Sequence, residues 1–209
     1  DGVTLSETDS TSFYMVLPPG TYSSFSVTIA TSDGKIMHKG SDKPLTIKRS
    51  GATFATSLTY VEMETSSLSD KGTANSYIVS APGVYDFNAS VIGNGAKGII
   101  DTTDFHTTDV AINPASAELL WQDIAQPISN VTYNPQTKRI SFLYTGTEGN
   151  AVIAAKDDSG NIIWSWHIWC TDAPVEQIYN NEAGTMMDRN LGATSATPGD
   201  AGALGLLYQ

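Results

Sequence analysis

Three histidines, one cysteine and a scatter of carboxylates are the side chains of this 209-residue chain whose types could do chemistry. His38, His106 and His167 show no i, i+4 helical spacing of the kind that pairs two imidazoles on one zinc ion. His167 reads as a surface or interface side chain. Cys170 is alone, so neither an internal disulfide nor a cysteine-based zinc set can form. Its place on an apolar strand face predicts a buried, inert thiol. Asp157, Asp158 and Asn161 offer oxygens of the calcium-binding type, but the D-x-[DN]-x-[DN]-G order is missing, and a solvated turn accounts for them. Glu62 and Glu64 fall on one strand face as paired carboxylates would; a solvent-facing edge explains them without catalysis. No nucleophile elbow, phosphate loop or dinucleotide fingerprint occurs. The expectation is a non-enzyme with no catalytic residues, no metal and no cofactor.

Tryptophan supplies the other candidate chemistry, because a flat exposed indole with polar neighbours can stack on a sugar ring. Trp121, Trp164 and Trp166 sit in strands whose alternation assigns them to the core. Trp169 falls on the opposite face, beside His167, where the end of the chain covers it or solvent does. Trp169 and His167 are therefore the two candidate binding contacts.

The element that must position them spans residues 149–172. Two runs rich in β-branched and aromatic residues flank Asp157-Asp158-Ser159-Gly160, a turn composition, which predicts a β-hairpin. In its second arm Ile162, Trp164, Trp166, Ile168 and Cys170 share one face at period two, and Ile163, Ser165, His167, Trp169 and Thr171 share the other. The first face is a core face, expected to bury Trp164 and Trp166 against Phe142, Tyr133 or Trp121.

Apolar residues make up 40% of the chain and charged residues 16%, with 18 glycines, which is the composition of a strand-and-turn protein. The formal charge of −11 supplies no basic face for nucleic acid or an anionic membrane surface. No apolar run reaches the length of a membrane span, so no nucleic acid partner and no membrane span are expected. The chain begins at Asp1 without Met, as a processed or excised piece would, with any export signal or lipid-anchoring cysteine expected upstream.

Taken in order, Phe13, Met15 and Leu17 alternate before Pro18-Pro19-Gly20, a stop signal. Phe25, Val27 and Ile29 alternate again, and Asp33-Gly34 turns the chain back through residues 35–39. Leu45 with Ile47, and residues 58–63, complete roughly five strands. The polar stretch 66–73 has no periodicity and reads as a linker. Residues 74–86 read as two strands joined at Ala81-Pro82-Gly83, Asn94-Gly95 as a tight turn, and residues 99–108 as a surface loop. Leu119-Leu120-Trp121, Val131 with Tyr133, and Ile140 with Phe142 and Tyr144 supply further strands. Beyond residue 172, Val175 to Tyr179 suggests one helical turn and Met186-Met187-Asp188 a short strand. About 35 residues of that composition cannot fold alone and must dock or stay mobile.

G-N-A-V-I-A-A-K-D…G-N-I-I-W-S-W-H-I-W, followed by Thr171-Asp172 and then M-D-R-N-L-G-A at residues 187–193, resembles surface lipoproteins of the fimbrillin-like superfamily of gut anaerobes. F-Y-M-V-L-P-P-G-T-Y with S-V-T-I-A-T-S-D-G-K, and A-N-S-Y-I-V-S-A-P-G-V-Y-D-F, carry the same resemblance. It implies an all-β chain of two antiparallel β-sandwich-type (fimbrillin/Ig-like) domains, at 1–66 and 74–172, joined by a linker at 67–73. Residues 173–209 resemble the opening of a C-terminal module of the FISUMP type, so an irregular end that continues past Gln209 is expected. The function implied is that of a non-enzymatic fimbrial subunit or adhesin-like lipoprotein, exported and held at the cell surface, outer-membrane-anchored or fimbrial. Its partners would be other surface or pilus subunits, reached by β-strand donation, and host or dietary glycans. The alternative is a lectin-like carbohydrate-binding module.

Overall fold

A computed structural model of the chain describes residues 3, 4, 6, 8–51, 57–92, 111–123, 125–181 and 184–206. The fold is all-β: fourteen strands and a single 3-10 turn at Ala201–Ala203 are found among the described residues. His106, the Asn94-Gly95 turn, the 99–108 loop and Leu207 lie outside them. The chain divides into two compact units, residues 1–30 with 36–62, and residues 31–35 with 63–209.

In the first unit the described strands form two ribbons of two strands each. β1 (Gly20–Tyr22) pairs with β4 (Leu45–Ile47), and β2 (Phe25–Ala30) with β3 (Ile36–Ser41). The Asp33-Gly34 turn and the β2 alternation were legible, and the described strands of this unit pair two by two. Phe13 and Met15 lie in no strand and are exposed. Residues 58–63, expected as a strand, are irregular, and Glu62 and Glu64, expected to share a strand face, lie in no strand.

The second unit is built on two four-stranded sheets. One runs β5 (Thr65–Ser67), β7 (Gly83–Asn88), β10 (Arg139–Tyr144), β9 (Ile128–Asn134). The other runs β6 (Ser76–Val79), β12 (Ile162–Cys170), β11 (Gly149–Lys156), β8 (Ser116–Gln122). Six of these strands take the positions B-E-D and G-F-C of an immunoglobulin-type sandwich. The expectation of purely antiparallel sheets needs correction at the edges, where β5 runs parallel to β7 and β6 parallel to β12. The two strands read on either side of Ala81-Pro82 exist, but they enter opposite sheets, as a crossing of the sandwich requires.

Residues 67–73 are no linker. β5 opens the sandwich, Leu68 N–H continues onto the Asp86 carbonyl, and Arg139 locks the stretch down. The guanidinium grips Asp86 with two 2.7 Å bonds and donates to the Ser67 and Ser69 hydroxyls. Small polar residues look like a spacer in sequence; here their hydroxyls are the ligands of an arginine.

Between the sheets Phe87, Ile140, Phe142, Ile153, Trp166, Ile168 and Cys170 form one buried cluster. Trp166 packs on Phe87 at 5.1 Å between ring centroids, with Phe142 beyond it at 6.5 Å. Trp164 is half-buried against the cluster and donates its indole N–H to Asn75. Trp121 departs from the expectation. Ile153 pairs with Leu119 but its neighbour Val152 pairs with Trp121, so Leu120 is an inserted bulge residue. One extra residue reverses the parity of a strand, and it turns Trp121 outward with 45% of its surface exposed.

The 157–160 turn is as expected: the Asp157 carboxylate accepts from the backbone N–H groups of Ser159 and Asn161. The Asn161 side-chain amide donates to the other carboxylate oxygen at 3.1 Å, and it, ahead of the backbone N–H groups, holds the Asp157 pKa below the usual carboxylate range. No group of three or more metal-ligating side chains occurs among the described residues.

Candidate functional site

The outer face of the β6-β12-β11-β8 sheet carries the polar residues that sequence alone left unassigned. Because β12 alternates, Trp166 and Ile168 face the core while His167 and Trp169 face away from it, as the spacing required. The adjoining strands set partners beside them. His167 lies next to Ser76 on β6 and Val152 on β11, and Trp169 next to Ile78 and Asn150.

A chain of hydrogen bonds runs across this face. Asn150 donates its side-chain amide to the Asp123 carboxylate at 3.2 Å and to the Gly192 carbonyl at 3.0 Å, so its carbonyl oxygen is left to accept. That fixes the imidazole: His167 Nε2–H donates to Asn150 at 2.9 Å, and Nδ1 accepts from the Ser76 hydroxyl at 2.8 Å. Asp123 also takes the backbone N–H of Asn150 at 2.7 Å. His167 is buried, and burial pushes its pKa down to about 4, with the Asp123 charge pulling the other way. The ring is thus neutral at ordinary pH.

The end of the chain covers this array. Gly192 and Ala193 are buried, and the Ala193 carbonyl accepts the Trp169 indole N–H at 3.0 Å. Gly192 has φ +80°, and a Cβ there would meet Leu206 Cγ at 2.7 Å, so only glycine brings the backbone close enough to reach Asn150. Leu206 N–H closes the loop onto the Leu191 carbonyl. Arg189 staples it to the sandwich: Nε donates to Asp188 at 2.8 Å, and Nη1 donates to Thr171 at 3.1 Å and to Asp172 at the end of β12. These bonds raise the arginine pKa and lower those of both carboxylates. The two short motifs Thr171-Asp172 and M-D-R-N-L-G-A are therefore the two halves of one contact.

Of the two sequence-derived contact candidates, the structure brings both to one face and leaves neither open. Trp169 has no exposed surface, so a sugar cannot stack on it while the loop is docked, and His167 is buried instead of lying on the surface. Ser76, Asn150, Asp123 and Arg189 were missed. The available signal was an arginine flanked by Asp188 in a segment otherwise made of small residues. Cys170 is fully buried and its pKa is pushed up to about 12 by burial, as an inert thiol requires.

Chemically, the Ser76–His167–Asn150 line has the donor order of a nucleophile relay. Its imidazole is enclosed, however, and its far end is spent on holding Gly192, which makes it a docking device. An open groove of about 270 Å³ lies between residues 186–190 and the 195–203 loop, lined by Met186, Met187, Asn190, Ser195 and Ala203, with no aromatic floor.

The remaining feature is a hairpin. Between the sandwich and the docked loop, β13 (Glu176–Tyr179) and β14 (Gly184–Met187) form a two-stranded ribbon whose eight strand residues are all exposed. The helical turn expected at 175–179 is strand β13, since Gln177, Ile178 and Tyr179 gain a partner strand in residues 184–186. No family model, no curated protein and no solved structure matches this chain.

Proposed function

We propose that the chain is a non-enzymatic cell-surface protein, a fimbrial subunit or adhesin-like lipoprotein that works by assembly or attachment, exported and held at the outer membrane or in a fimbria. The observation that carries this reading is the β13–β14 ribbon. Ile178 is 76% exposed, and Tyr179, Met186 and Met187 stand out of the same two strands. An isolated two-stranded ribbon is marginally stable in water, and its outer edges offer unpaired N–H and C=O groups. Such an edge recruits a further strand, and apolar side chains on it give the added strand something to bury. Neighbouring surface or pilus subunits are the partners of that chemistry.

A carbohydrate-binding reading is favoured by a different observation, the outward-facing Trp121 beside exposed Leu120. Host or dietary glycans are the ligands such an exposed indole suits. One experiment separates the two. Full-length protein on a surface is expected to capture soluble full-length protein, and Ile178→Ser with Met186→Ser is expected to abolish that capture while a glycan array stays blank. Binding to a defined sugar that is lost in Trp121→Ala, with no self-capture, would replace the assembly reading by the lectin one. Hydrolytic turnover of the bound sugar would overturn both.

A further inference from the structure

We propose that the loop at residues 188–206 is an acid-released strap, held over the outer sheet face by the neutral His167 ring and let go when that ring takes up a proton. The inference goes beyond the assembly reading and does not depend on it.

The geometry supplies the coupling. His167 touches the strap through one intermediary, Asn150, whose amide group is shared between the imidazole, Asp123 and the Gly192 carbonyl. The neutral tautomer satisfies every member: Ser76 donates to Nδ1, and Nε2–H donates to Asn150. A protonated ring carries two N–H groups and no acceptor, so the Ser76 hydroxyl must turn its proton elsewhere and a positive charge must be kept on a buried sheet face. Opening the strap returns the ring to water and removes that cost.

The charged groups around the ring do not cancel this preference. Asp123, at the end of β8, favours the protonated form, but its oxygen is already occupied by the two N–H groups of Asn150. β6 contributes the Ser76 hydroxyl, and β11 contributes Asn150 and Val152. On the strap, Arg189 is a cation, held by Asp188 and Asp172 at the end of β12.

The sign follows from the direction of the shift. A ring at about 4 when covered and at its ordinary 6.5 when uncovered gives docking that is complete above about pH 6.5 and is lost as pH falls toward 4. Between pH 7 and pH 4 the docking constant is expected to fall on the order of 100-fold. The carboxylates of the Arg189 staple are held below their usual range, so their own protonation belongs to lower pH.

The test is hydrogen exchange of the full chain, expressed as protection factors to remove the intrinsic pH dependence. Protection of the Ala193, Thr194 and Leu206 amides is expected to drop between pH 6.5 and 4 while amides of β10 and β11 keep theirs, and His167→Gln is expected to remove the pH dependence. Strap protection unchanged across that range, or the same decline in His167→Gln, would overturn the proposal. Should that variant fail to fold, the wild-type His167 ring titration by NMR decides. A midpoint well below 6.5 that moves together with strap exposure supports the device. A ring that titrates near 6.5 with the strap still protected contradicts it.

Discussion

Replacing Trp166 with alanine is expected to cost the second unit about 3–5 kcal/mol, the largest loss any single side chain of the core should produce. Trp166 is 1% exposed, sits centrally on β12, and packs its ring across the sandwich against Phe87, which in turn meets Phe142 on the neighbouring strand of its own sheet. Removing the indole leaves a cavity bounded by both sheets, and neither sheet can collapse into it without breaking register with its neighbours. A domain whose whole stability is about 5–15 kcal/mol is then close to unfolding. The check is chemical denaturation followed by near-ultraviolet circular dichroism. A variant with the wild-type midpoint would show that the core face of β12 has been misassigned.

Trp169→Ala should produce a loss of similar size in a different place. Trp169 has no exposed surface, but what covers its indole is the docked loop, with the Ala193 carbonyl on its Nε1–H. Truncation removes the apolar platform and orphans a buried carbonyl, together about 3–5 kcal/mol, taken from loop docking and not from the sandwich. Residues 188–206 are expected to become protease-sensitive while denaturation of the sandwich moves far less than in Trp166→Ala. A loop still protected in the variant, or a sandwich destabilised as much as by Trp166→Ala, would contradict this division. Deleting residues 185–209 is a poorer experiment, because it removes the exposed β14 and strips Trp169 and Asn150 of their cover together.

The period-two pattern of β12 was sufficient to put Trp166, Ile168 and Cys170 inside and His167 and Trp169 outside. Strong local alternation survives folding because a one-residue slip would expose the whole core face. Trp121 shows the limit of the same rule: a bulge at Leu120 has no composition signal, and it reversed the face. Phe13, Met15 and Leu17 alternate equally well and form no strand, since alternation supplies a face but not a partner ladder. The sequence signal of Ser67 and Ser69 was that of a spacer because their partner, Arg139, lies some seventy positions away. The same holds for Ser76, Asn150 and Asp123 around His167. Each is unremarkable alone, and only the pairing of β6, β11 and β12 brings them to one ring.

The central claim is that the exposed β13–β14 ribbon is an association surface, and sedimentation velocity of the full chain over rising concentration tests it most directly. The wild type is expected to shift toward larger species. Ile178→Ser with Met186→Ser, one substitution on each face of the ribbon, is expected to remain at the monomer value with the same thermal midpoint, because both side chains are exposed and support no core. A wild type that sediments as a monomer at every concentration, or a doubly substituted chain that associates as the wild type does, would contradict the claim.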